Sequence, residues 1–145
     1  MDGIIKKEAM KILDERFGKD SIISVATMNG DYPAVRMVDG FFKDGSFYII
    51  TYDESNKMRQ IKNNSNVAIC GEWFTATGKA ESLGWVKNES NTDIMNRLRK
   101  EFASWYDNGH IDENDMNTCL LCIRLEKGVL FNMGTRYDID FLEAL

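Results

Sequence analysis

Proline and histidine are almost missing from this 145-residue chain: Pro33 and His110 stand alone. With one histidine, set in the polar loop "YDNGHIDEND", and no nucleophile-elbow sequence, a Ser-His-Asp or Cys-His hydrolytic set has nothing to be built from. Cysteine is scarce too. Cys70 is isolated, and Cys119 and Cys122 in "CLLC" lie three apart on a predicted strand, so they face opposite sides and cannot clamp one ion together. Cys119 and Cys122 read as core thiols, and all three cysteines as the reduced thiols of a cytoplasmic protein. Cationic excess is absent: 18 Lys and Arg against 23 Asp and Glu leave a net charge of −5 and a pI near 4.9. That balance excludes nucleic acid and anionic membrane as the main partner, because both require clustered positive charge. No apolar run nears the roughly 20 residues that cross a bilayer. The opening "MDGIIKKEAMKILDERFG" alternates charged and apolar residues at helical spacing, unlike a secretory leader. No phosphate-loop or dinucleotide glycine fingerprint is present, and the acidic run 112–117 lacks the glycine and terminal glutamate of a calcium loop.

What is present reads as one α+β domain. Asp2 can cap a helix running to about Arg16, with Ile5, Ala9, Ile12 and Leu13 on one face and Gly18 ending it. Three strands follow, 21–28, 34–42 and 46–52, joined by turns at Asn29-Gly30 and Asp44-Gly45 that signal hairpins. A short helix over 54–64 leads to two strands within 65–84, broken near Gly71 and again after Gly78. A helix over 91–106 carries the stripe Ile94, Leu98, Phe102 and Trp105. The segment 119–133 is a long strand, or a pair broken at Lys127-Gly128. About six mostly antiparallel strands with few flanking helices predict a small barrel. There is no repeat, low-complexity tract or linker.

Two cations pose the functional question. On a strand through 34–42, Arg36 shares a face with Ala34 and Val38. A buried arginine requires an anionic or planar partner, so this face is wet or has a ligand. Ser55 is a candidate N-cap, which puts Lys57 in the first turn of the next helix, where its charge opposes the macrodipole. An anion there would resolve the conflict; alternatively Asp53 and Glu54 satisfy the helix end and Lys57 is solvated. One hairpin links the two cations, so both can reach one phosphate. Trp73 and Phe74 follow Gly71 at a strand break and read either as core or as a surface for a flat ligand.

In this order, Pro33, the R-x-V of Arg36-Met37-Val38, a strand ending at Thr51, the S-x-K of Ser55-Asn56-Lys57, "QIKNNSNVAI" and "GKAESL" resemble the FMN-binding split-barrel family typified by pyridoxamine 5′-phosphate oxidase. The resemblance spans about 21–85. It implies a six-stranded split barrel acting as a homodimer, with FMN in a groove between subunits. Arg36 and Lys57 would take the phosphate, helped by Ser55 or Asn56. The backbone at Met37 and Val38 would approach the isoalloxazine ring, and Ile50 and Thr51 would contact the ring and ribityl chain. Trp73 would meet the ring from the other subunit. The implied activity is FMN-dependent oxidation or reduction of a small molecule, or flavin binding without turnover. The chain has Phe41 where the oxidase carries a lysine, and it lacks the oxidase's arginine-x-histidine substrate clamp. The expected substrate is therefore not pyridoxamine phosphate.

Overall fold

In the computed structural model, residues 3–143 are described; Asp2, the expected cap of the first helix, lies outside them. Helix α1 (Gly3–Phe17) is followed by β1 (Ser21–Asn29), β2 (Tyr32–Lys43) and β3 (Ser46–Tyr52). Then come α2 (Asn56–Asn63), β4 (Asn66–Gly71), β5 (Phe74–Trp85), α3 (Thr92–Glu101), β6 (Thr118–Asn132) and β7 (Thr135–Asp140). All pairings are antiparallel, in the order β3-β2-β1-β4-β5-β6-β7, and β3 also pairs with β6. That extra pairing closes six strands into a barrel and leaves β7 as an appended edge, which is the expected α+β split barrel with one strand added.

The hairpins form for the predicted reason. Lys43 pairs with Ser46 around Asp44 and Gly45, both at positive φ (51° and 81°), as the tight primed turn requires. Alternation along β1 sends Ile23, Val25 and Thr27 inward, where they join Phe42, Phe47, Ile49, Leu121 and Ile123 in the barrel core. A smaller cluster forms outside the wall, where Phe41 and Leu120 meet Met95, Leu98 and Phe102 of α3 and its C-terminal turn.

Three details depart from the sequence reading. The buried face of α1 is Lys6, Ala9, Leu13 and Phe17, while Ile5 is exposed. The inner stripe is rotated so that Phe17, rather than Ile5, reaches the barrel, stacking edge-on against Phe47. Helix α3 ends at Glu101, not at 106, and the chain continues in turns; Leu98 and Phe102 nevertheless keep the predicted apolar stripe. The turn is held from outside, by Trp105 Nε1 donating to Asp20 Oδ2 at 2.9 Å and Tyr106 donating to Glu113. The break expected after Gly78 is absent, and β6 takes the single-strand alternative: both strands run through, with a bulge where pairing steps from Thr77–Lys127 to Gly78–Leu125. Gly78 fits there because a Cβ would lie 2.2 Å from the Arg124 carbonyl oxygen. No helix among the described residues is long and apolar enough to cross a membrane.

Candidate functional site

The meander brings one cation and the short helix the other. Arg36 sits opposite Val25 in the β1–β2 ladder, on the inward side of β2 and half-buried. Its Nη1 donates to the Val25 carbonyl at 3.2 Å and to Thr27 Oγ1 at 2.7 Å, and its Nη2 donates to Gln60 Oε1 of α2 at 2.9 Å. The strand face that carries Arg36 is therefore neither simply wet nor sealed. Protein groups hold three of the five N–H bonds a guanidinium offers, and two are left over.

Ser55 caps α2 as its sequence predicts: it is extended (φ −65°, ψ 159°) and its hydroxyl accepts from the Met58 N–H at 3.3 Å. Lys57 follows in the first turn, its Nζ donating to Thr51 Oγ1 at 2.6 Å. The acidic neighbours do not neutralise it. Asp53 pairs with Lys62 at 2.9 Å, and Glu54 accepts from Tyr52. Among the described residues, neither Lys57 nor Arg36 has a carboxylate at ion-pair distance. Burial, reinforced by the nearby Arg36 charge, holds the Lys57 ammonium below the usual lysine range. Burial also lowers Arg36. Two partly desolvated cations thus lie close enough to feel each other's charge, one of them in the first turn of a helix whose first N–H groups lack intrahelical acceptors. A dianionic phosphate fits the electrostatics of this corner, since it would meet both cations and the helix end at once.

The remaining predicted residues divide by strand parity. Thr51 is on the inner side with Ile49, and across the β3–β6 ladder it pairs with Cys119, whose thiol burial pushes up. Ile50 points the other way, into the outer cluster with Phe41 and Leu120, so only its backbone adjoins the corner. Val38 packs against the core, while Met37 is 70% exposed on the outer face beside the equally exposed Val35. Asn56 is exposed and accepts from Arg59. Trp73 is not brought to this corner by its own chain. It occupies the β4–β5 turn at φ 53°, 71% exposed, against the Phe131 ring 6.5 Å away. Sequence reasoning missed Thr27 and Gln60, which orient Arg36; they lie 9 and 24 positions from it, and no local motif links them.

Comparison with known proteins decides the family. The pyridoxamine 5′-phosphate oxidase family model matches residues 8–130. The chain belongs to the pyridoxamine 5′-phosphate oxidase family. No curated protein matches it in sequence. Among solved structures, General Stress Protein 26 from Bacillus anthracis superposes with a TM-score of 0.68 at 18% identity, covering 91% of this chain and 99% of that one. A FAD-binding protein from Mesorhizobium loti gives 0.61 at 14% identity, with 88% and 92% covered. A heme binding protein from Mycobacterium smegmatis gives 0.69 at 12% identity, covering 98% of this chain but 60% of that one. At such identities the likeness establishes the fold, which family membership and the barrel topology share.

Proposed function

We propose that the chain binds FMN and serves as a flavin-dependent oxidoreductase for a small molecule other than pyridoxamine phosphate. The observation that carries this reading is the pair of uncompensated, partly desolvated cations, Arg36 and Lys57, at the mouth of a barrel of the oxidase family. In that role Arg36 and Lys57 grip the phosphate. Ser55 keeps the end of α2 open toward it while its hydroxyl caps Met58. Thr51 adjoins the ribityl chain, and the exposed β2 backbone at Met37 and Val38 borders the ring. Bound flavin supplies hydride or single-electron transfer; the protein supplies anchorage, orientation and exclusion of water.

The solved neighbours include both a FAD-binding and a heme binding protein and do not choose between the two cofactors. The exposed position of His110, the sole histidine, in a loop favours flavin over a histidine-ligated haem. A second copy of the chain completes the site in this reading. Val35, Met37 and Ile22 expose an apolar outer face on β1 and β2, continuous with a 630 Å³ groove lined by Ser24, Ala26, Ala68 and Cys70. Trp73 would then reach the partner's flavin. The three free cysteines suit a reducing, cytoplasmic setting.

The test is to load the purified protein with FMN and read its visible spectrum, then repeat with Arg36→Ala/Lys57→Ala. Losing two charge-assisted contacts lowers FMN affinity by at least about a hundredfold; unchanged occupancy would refute the assignment. Reoxidation of the reduced flavin by a quinone or nitroaromatic is the expected turnover. A flavin that only dioxygen reoxidises would mark a binding module without turnover.

A further inference from the structure

Arg36 is held by a relay to which the family resemblance assigns no role, although Gln60 opens the stretch "QIKNNSNVAI". Thr27, on β1, is 1% exposed, an unusual place for a hydroxyl unless its bonding is complete. It is complete: Oγ1 accepts from Arg36 Nη1 at 2.7 Å and donates to Gln60 Oε1 at 2.5 Å. The same Gln60 oxygen accepts from Arg36 Nη2 at 2.9 Å. Since a guanidinium can only donate, the Gln60 amide must turn its oxygen toward Arg36, and the Thr27 proton has one acceptor to serve. The three side chains form a closed ring of hydrogen bonds with no freedom of orientation. Gln60 also lies one helical turn after Lys57 on α2, so the ring ties the helix that carries the second cation to the strand that carries the first.

We infer that Thr27 and Gln60 are positioning residues that lock the Arg36 guanidinium, so that its two remaining N–H bonds are presented, together with Lys57, to the phosphate of the bound cofactor. The inference rests on the flavin reading above. Without the ring, Arg36 would sample several rotamers on a half-buried strand face, and each contact to the phosphate would carry an ordering cost. With it, that cost is met when the protein folds. The flavin reading above gives neither residue a contact with the isoalloxazine or the ribityl chain, so the relay should act through the phosphate alone.

The test compares FMN with riboflavin, which lacks the phosphate, in titrations of the whole protein followed by flavin fluorescence. Thr27→Val removes the hydroxyl at nearly constant shape, and Gln60→Leu, at a less buried position, guards against a folding defect in the first variant. Each is expected to weaken FMN about tenfold while moving riboflavin by less than about twofold. Thr27→Ser should restore FMN binding. In an Arg36→Ala background, Thr27→Val should add no further loss, since the relay then has nothing to hold. Equal weakening of FMN and riboflavin would show that the two residues are merely structural, and unchanged FMN affinity in both variants would show that Arg36 needs no relay; either overturns the inference. Failure of the flavin reading is separable: the wild-type protein would then bind FMN no better than riboflavin, and the inference would fall with it.

Discussion

Two carboxylates meet where β1 begins and β2 nears its end, and their encounter makes stability depend on pH. Asp39, next in register to Ile22, is pushed up to about 6, first by burial, then by its hydrogen bond to Asp20 and by the Asp20 charge. Asp20 Oδ2 is occupied by Trp105 Nε1, but Asp20 Oδ1 is buried without a partner. Two ionised carboxylates cannot hydrogen-bond, so the contact with Asp20 favours a proton on Asp39. Because the folded state binds this proton more tightly than the unfolded chain, its stabilisation is complete below about pH 4 and is lost as the pH rises through about 6. At about 1.4 kcal/mol for each tenfold change in proton affinity, the rise from 3.8 to about 6 sets a ceiling of ~3 kcal/mol. Asp39 is partly exposed, and solvent screening brings the effect to ~1 kcal/mol. Asp39→Asn keeps the shape, cannot ionise and offers Asp20 a permanent donor. In urea denaturation at pH 4 to 8, followed by tryptophan fluorescence, the variant should gain ~1 kcal/mol over the wild type at pH 8 and little at pH 4. Parallel wild-type and variant curves across that range would refute the reasoning.

Other consequences follow from burial and close approach. Lys57→Met should raise the stability of the flavin-free protein by ~1 kcal/mol at pH 7, because it removes a desolvated charge beside Arg36, while removing the proposed phosphate contact; a destabilised variant in thermal denaturation would contradict the electrostatic account. Gly78→Ala should cost ~3 kcal/mol, since its Cβ would strike the Arg124 carbonyl oxygen at the bulge. Gly3→Ala, with nothing within 4 Å, should be neutral or slightly stabilising. Comparable urea midpoints for the two glycine variants would show that the bulge yields more readily than its geometry implies.

The legible parts of this molecule are those written in neighbouring residues. Asp44-Gly45 encodes its turn, Ser55 its cap, and the alternation of β1 its buried face, each through contacts a few positions apart. Arg36 and Lys57 were recognisable as misplaced charges because each offends a local rule, a cation on an inward strand face and a cation at a helix N-terminus. What silences or satisfies them is not local. Asp53 turns to Lys62 rather than to Lys57, and Thr27 and Gln60 reach Arg36 only after the hairpin and α2 have docked. The end of α3 was illegible for the same reason: its apolar stripe continues to Trp105, but distant groups on Asp20 and Glu113 pull the last turn out of helical geometry. β6 reads equally as one strand or two because its bulge is specified by the close approach of Gly78 across the ladder, not by its own residues.

In the proposed function, the corner formed by Arg36 and Lys57 recognises a phosphate. The most direct measurement is the ratio of wild-type affinities for FMN and riboflavin at moderate salt. Two charge-assisted grips on a dianion predict FMN binding tighter by about a hundredfold or more, with the advantage shrinking as salt is added. Equal affinities, insensitive to salt, would contradict it.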